Sequence, residues 1–424
     1  MYVRSLHIEN LRCFVDVKLD FQFPGREQED ALDLPNVNLL LGINGAGKTT
    51  VLKAVALGVL GDILSYSGFV PYELVRRNLG EAEAEIGVDL VVPVEEFASQ
   101  GTELTNVVRI HRDKVQERLM PSPSWVVVGE LLAVGETAFF LVGYGASRYV
   151  LGASQFEPLP SQFKRRSPRY QRIAGLFEDH LGLTPLATWL PRAPQNHVSQ
   201  VEELLNGLLP EEARFLGEME NDEYLFQHCG VSVPLGALSD GYRAYIGWIS
   251  DLLYNLSSTA PEGTSLSDIQ GVVLVDEIDL HLHPEWQRDV IPKVARTLPN
   301  LQFIFTTHSP IVAGTLSSLN IFVLDMDGQG TSTVHQLEEP IHGRNADQIL
   351  LSPYFKLKTT RAPDAVTAYR DLSRKAMSGD PKAALTFLEK ITEGTEPAPS
   401  PANGSERKVV RRKPASRPGR AKTR

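Results

Sequence analysis

Cysteine is almost absent from this 424-residue chain, which carries only Cys13 and Cys229. Two thiols cannot build a disulfide framework, and these lack the paired spacing of a zinc site, so a reducing interior, the cytoplasm, is the expected setting. Long hydrophobic runs are missing as well. The opening MYVRSLHIEN alternates polar and apolar residues. Nothing later approaches the ~18 uninterrupted apolar residues of a membrane span, so neither secretion nor a membrane partner is expected. No internal repeat and no sustained heptads are found, which excludes a long coiled-coil arm.

Positive charge is scarce over most of the sequence. The net charge is -10, from 42 Lys and Arg against 52 Asp and Glu. Nine of those basic residues and a single acid, Glu406, fall in residues 405–424, so this tail carries +8 and the rest of the chain -18. Just before it, GTEPAPSPANG (394–404) has no apolar periodicity and is expected to be a flexible linker to a disordered tail. Such a tail either touches nucleic acid through its phosphates or only keeps the chain solvated.

With 42% hydrophobic residues the chain can bury one large core or two smaller ones. In VDVKLDFQF (15–23), Val15, Val17, Leu19, Phe21 and Phe23 share one face, the period-2 pattern of a half-buried strand that pairs naturally with residues 5–9. Residues 37–41 form a short buried run ending in glycine, and 48–64 carry apolar residues at helical spacing. Strand-like runs at 86–94, 107–111, 125–128 and 139–142 predict a mixed, largely antiparallel sheet beside this unit. From about 165 to 235 the pattern reads as a helical insertion. A second α/β half follows: VVLVDE (272–277) and LQFIFTT (301–307) as buried parallel-type strands, with a helix opening at Pro284 between them. Residues 321–325 and 331–336 flank MDGQG as a hairpin, and two helices close the fold within 360–393.

The sharpest pattern is GINGAGKT (42–49), a full GxxxxGK[ST] between a buried strand and a helix. Gly42, Ile43, Asn44, Gly45, Ala46 and Gly47 supply the backbone N–H groups that curl around phosphates, and Thr50 continues the helix whose N-terminus faces them. Lys48, expected here as a solvated cation, reaches the β- and γ-phosphates, and Thr49 ligates Mg²⁺. ATP and Mg²⁺ are therefore the expected ligands. At the end of VVLVDE, Asp276 is placed to hold Mg²⁺ and Glu277 to polarise the attacking water. Adjacent acids alone would read equally as a structural feature; the upstream P-loop decides between the readings.

LSDGYR (238–243) then stands between the P-loop and the DE strand. Alone it is an ordinary helix N-cap. In this order it resembles the signature motif of ABC-type ATPases, and the resemblance implies that Ser239 and Gly241 bind the γ-phosphate of ATP held by a second copy. TTHSP (306–310) places His308 where those ATPases carry a switch histidine reaching the γ-phosphate, although a lone histidine is more commonly structural. EIDLHLHPEWQ (277–287) resembles RecF, SMC and OLD-type ATPases rather than transporters. His281 and His283 lack further ligands for a metal. IENLRCF (8–14) is similar to the opening of RecF and SMC-like heads, which makes Arg12 a nucleotide contact. GYGASR (143–148) resembles defence-associated relatives at the Q-loop region, yet contains no glutamine.

The expected fold is thus α/β, a P-loop NTPase of ABC-ATPase type spanning 1–393, with an added antiparallel β region and a small helical lid. The resemblance extends to the ATPase subunits of the Septu, retron-associated and PARIS antiphage systems. It implies an ATPase that dimerises around ATP and regulates a separate nuclease or toxin effector. The alternative is a RecF-like ATPase of DNA repair that clamps DNA directly, for which the acidic body offers little basic surface.

Overall fold

The computed structural model describes residues 1–27, 32–61, 63–77, 82–92, 103–114, 116–120, 140–148, 167–261 and 263–392. The strand expected at 125–128, the linker at 394–404 and the tail at 405–424 lie outside the described residues. Up to Lys358 these residues form one compact unit. In chain order, β1 (Tyr2–Glu9) and β2 (Asp16–Asp20) pair antiparallel, and β3 (Val37–Gly42) leads through the glycine loop into α1 (Lys48–Leu60). Next come β4 (Glu83–Val91), β5 (Glu103–Arg112), β6 (Glu117–Met120) and β7 (Phe140–Tyr144). The insertion contributes α2 (Gln195–Leu208), β8 (Ala213–Glu220), β9 (Glu223–His228) and β10 (Val231–Pro234). The second half holds α3 (Asp240–Thr259), β11 (Gly271–Val275), α4 (Pro284–Thr297), β12 (Leu301–Thr307), β13 (Ile321–Met326) and β14 (Ser332–His335).

The central sheet has the order β14-β13-β3-β12-β11-β7, parallel except for β14. Its parallel strands are buried almost throughout because both faces are covered. Leu39, Leu41, Val273, Val275, Phe303 and Phe305 enter one core, shared with α2, α3 and α4, while Leu40, Val272, Leu274 and Ile304 enter the other. That second core packs α1 against the antiparallel sheet β2-β1-β4-β5-β6. With sheet on two sides, α1 has almost no polar face, and it approaches β4 so closely that a Cβ on Gly58 would lie 2.5 Å from Val88 Cγ1.

Several details depart from the sequence expectation. Val15 precedes β2 and is 37% exposed, whereas Val17 and Leu19 are buried. Of the run expected at 139–142, residues 140–142 belong not to the antiparallel sheet but to the parallel one, with Phe140 opposite Gly271 and Tyr144 opposite Val275. FLVGY is buried at every position, which suits a strand covered on both faces. The insertion is helical only as far as Leu208; residues 213–234 form a three-stranded antiparallel sheet, β10-β9-β8. Phe215, Tyr224 and Phe226 anchor it in the first core, and the register shift between Phe215 and Met219 blurs the alternation in ARFLGEME.

Thr359 begins a second compact unit. Its helices, α5 (Pro363–Met377) and α6 (Pro381–Thr392), meet through Tyr369 and Phe387, whose ring centroids are 6.3 Å apart.

Candidate nucleotide-binding and hydrolytic site

The loop between β3 and α1 turns on glycine. Gly45 and Gly47 have φ of +83° and +99°, values that side chains rarely adopt. A Cβ on Gly47 would lie 2.6 Å from both Cys13 Sγ and Phe14 Cζ, so the β1–β2 turn presses directly on the loop. Ile43, Asn44 and Gly45 face solvent, and Ala46 and Thr50 are buried. Lys48 is not the solvated cation expected: it is 7% exposed, and its Nζ folds back to donate to Gly42 O at 2.9 Å and Ile43 O at 3.2 Å. Burial lowers its pKa, opposed by the nearby charges of Asp276, Glu277 and Asp279.

Thr49 and Asp276 meet across the sheet. Thr49 Oγ1 donates to Asp276 Oδ2 at 2.6 Å, and Thr306 Oγ1 donates to Asp276 Oδ1 at 2.5 Å. Asp276 N–H is held by Tyr144 O at 2.8 Å, at the end of β7. The buried carboxylate therefore has hydroxyls for partners and no ion pair among the described residues, and with Thr49 it offers the oxygen donors that Mg²⁺ takes. The next residue, Glu277, has φ +48°, and its N–H donates to Thr306 Oγ1 at 2.7 Å. Thr307 Oγ1 donates to Asp279 Oδ1 at 2.5 Å, which ties the end of β12 to the turn after Glu277. His308 follows directly. Burial lowers its pKa, and the cation of Lys48 lowers it further against the pull of Asp279, Glu277 and Asp276. The imidazole is thus held toward its neutral form.

Ser239 and Gly241 lie elsewhere in the fold. Ser239 occupies the N-cap position of α3, but its side chain makes no capping hydrogen bond and is exposed. Gly241 packs on the His281 turn, where a Cβ would come 2.6 Å from His281 O. Tyr242 beside it meets Trp286 edge-on, with centroids 4.1 Å apart. Gly241 is therefore fixed to the turn that follows Glu277, while the Ser239 hydroxyl lies at the surface without a hydrogen bond among the described residues.

Arg12 has φ +49° and donates from Nε to Glu73 O at 3.1 Å. With Lys53, Phe69, Tyr72, Tyr170 and Phe177 it lines a cavity of about 300 Å³. Its neighbour Cys13 is the residue that presses on Gly47, so Arg12 stands beside the loop rather than within it.

Two positions beside the candidate site escaped the sequence reading. Thr306 was visible only as a neighbour of His308, yet it supports both Asp276 and Glu277. Arg148 closes the GYGASR segment, which was visible as a motif, but its targets are main-chain carbonyls that no pattern reveals.

Residues 5–118 match a family described as "AAA domain". Residues 154–313 match one described as "AAA domain, putative AbiEii toxin, Type IV TA system". The chain is similar to the Septu protein PtuA of Bacillus mycoides, 23% identical over 365 residues, covering 85% of this chain and 45% of that protein. It is similar to the "Retron Ec83 probable ATPase" of Escherichia coli, 45% identical over 94 residues, which is 22% of this chain and 17% of that protein. The "Retron Vc95 probable ATPase" of Vibrio cholerae is 36% identical over 121 residues, 28% of this chain and 23% of that protein. The chain spans less than half the length of each of these relatives.

Proposed function

We propose that this chain, an ABC-type ATPase of the RecF, SMC and OLD-like group, binds and hydrolyses ATP in a composite site shared by two copies, and so regulates a separate effector in antiphage defence. The observation that carries the first part is the Thr49–Asp276 hydrogen bond of 2.6 Å. It joins the phosphate loop to the strand that presents Glu277. Gly42, Ile43, Asn44, Gly45, Ala46, Gly47 and Thr50 with Lys48 would cradle the phosphates, and Thr49 and Asp276 would hold Mg²⁺. Bound with the nucleotide, that ion neutralises the β- and γ-phosphates. Glu277 would take the proton of the attacking water, and neutral His308 would hydrogen-bond the γ-phosphate from the end of β12.

The uncapped, exposed Ser239 favours a shared site, because a hydroxyl at a helix N-terminus with no hydrogen-bond partner among the described residues is suited to an anion arriving from outside. In that arrangement Ser239 and Gly241 of one copy face the ATP on the P-loop of the other. Arg12 would approach the nucleotide from the cavity beside Gly47.

The regulatory role rests on similarity to the Septu protein and the retron ATPases. The effector is expected to be a separate nuclease or toxin. A second reading, a RecF-like ATPase that clamps DNA directly, needs a basic head surface, whereas the chain outside the tail carries -18. The reducing cytoplasm is the proposed setting.

Mixing two inactive variants tests the shared site. Lys48→Ala removes a P-loop and Ser239→Arg blocks a signature surface, so each alone should fail to hydrolyse ATP. If sites form between copies, mixed dimers contain one intact site and turnover returns. If each chain completes its own site, the mixture stays as inactive as its parts.

A further inference from the structure

Beyond Val275 the strand β11 has ended, yet the chain must still present two acids in a fixed direction. Glu277 does so from φ +48°, a left-handed conformation that a non-glycine residue keeps only where its surroundings hold it there. Thr306 fixes one side of this kink through the N–H of Glu277 at 2.7 Å and the carboxylate of Asp276 at 2.5 Å. Arg148 fixes the other. One guanidinium nitrogen, Nη1, donates to Asp276 O and to Gly145 O at 3.0 Å, while Nη2 donates to Glu277 O at 2.8 Å.

We infer that Arg148 is a positioning residue for hydrolysis, clamping the Asp276–Glu277 main chain so that the two carboxylates stay turned into the phosphate site. This rests on Glu277 being the base, as proposed above.

The choice of partners supports it. Arg148 is 9% exposed and lies among the charges of Asp276, Glu277 and Asp279, yet it makes no ion pair among the described residues. Its three side-chain hydrogen bonds among the described residues all go to carbonyls. A cation that neutralised the acids would engage their carboxylates and compete with Thr49 for Asp276. A fork bonded to two successive carbonyls holds the backbone and leaves the carboxylates free, which a lysine's point charge cannot reproduce. The platform beneath it is stiff. Arg148 N donates to Ala146 O at 2.9 Å, and a Cβ on Gly145 would lie 2.3 Å from Gly175 O, so the segment has no room to shift. This clamp stands where the family resemblance places a glutamine that the sequence lacks.

The test uses Arg148→Ala and Arg148→Lys in the full chain, with ATP affinity, steady-state hydrolysis and thermal melting measured together. Misplacing a base by about 1 Å costs up to about 100-fold, so kcat should fall by about 10- to 100-fold in both variants. ATP affinity and KM should stay within about threefold, since the P-loop is untouched. Free guanidine at millimolar concentration should restore part of the turnover of Arg148→Ala. If that variant does not fold, Arg148→Lys must show the same split between kcat and KM. Unchanged kcat in a folded variant overturns the inference, as does joint loss of affinity and turnover, or a folded Arg148→Ala that guanidine cannot rescue. A wild-type protein that does not hydrolyse ATP would defeat the ATPase reading and this inference with it, whereas wild-type turnover matched by the variants defeats the inference alone.

Discussion

Thr49 Oγ1 donates to Asp276 Oδ2 at 2.6 Å although 227 residues separate them. Two motifs recognisable in the sequence are thereby joined by one side-chain hydrogen bond. Asp276→Asn keeps the size of the side chain and removes its charge, so the gain in ATP affinity on adding Mg²⁺ should largely disappear, with hydrolysis falling by about 100-fold or more. Nucleotide titrations with Mg²⁺ and with a chelator measure it. An equal Mg²⁺ effect in wild type and variant would remove Asp276 from the metal site.

Lys48 lies folded on its own loop, 7% exposed. Lys48→Ala should abolish ATP binding, and it also strips the donor from Gly42 O and Ile43 O. Those carbonyls sit at an open loop where water can replace the ammonium, so stability should change by no more than about 1 kcal/mol. Binding and melting measured on one sample separate the two effects.

His308 has a pKa below the ordinary value of 6.5, first through burial and then through Lys48. A depressed folded-state pKa means that the unfolded chain binds the proton more readily. The contribution of His308 to stability is therefore present above pH 6.5 and is lost as pH falls through its folded pKa. NMR titration should find His308 neutral at pH 7, with its midpoint rising in Lys48→Ala. A midpoint at or above 6.5 in the wild type would contradict the burial and charge pattern described.

Much of this site was legible because its parts are local. GxxxxGK[ST] between an apolar run and a helical pattern, and DE at the end of VVLV, need no tertiary knowledge. What escaped depends on partners far away in sequence. The burial of Lys48 follows from carbonyl geometry, and β7 joined the parallel sheet because β11 offered an edge. Arg148 sits in a segment without periodicity, and its role is defined entirely by the carbonyls it meets.

Asp251 is a case of the same kind, a mid-helix acid on α3 that sequence gives no reason to single out. It accepts from Tyr144 Oη at 3.0 Å, Thr184 N at 2.8 Å and Asn255 Nδ2 at 2.9 Å, and burial raises its pKa. It thereby links α3 to β7, whose Tyr144 O holds Asp276. Asp251→Ala would strand these donors, so about 2–4 kcal/mol of stability should be lost in denaturant unfolding. Asp251→Asn, which keeps one acceptor oxygen, should lose less.

If ATP binds between two copies, hydrolysis at Glu277 should end that state. Glu277→Gln keeps the size and hydrogen bonding of the side chain and removes the base. Light scattering of Glu277→Gln with ATP and Mg²⁺ should report a particle of twice the 46.9 kDa chain, stable for as long as ATP lasts and lost without nucleotide. A variant that stays at the mass of one chain with ATP bound, or that hydrolyses ATP at the wild-type rate, would contradict the account.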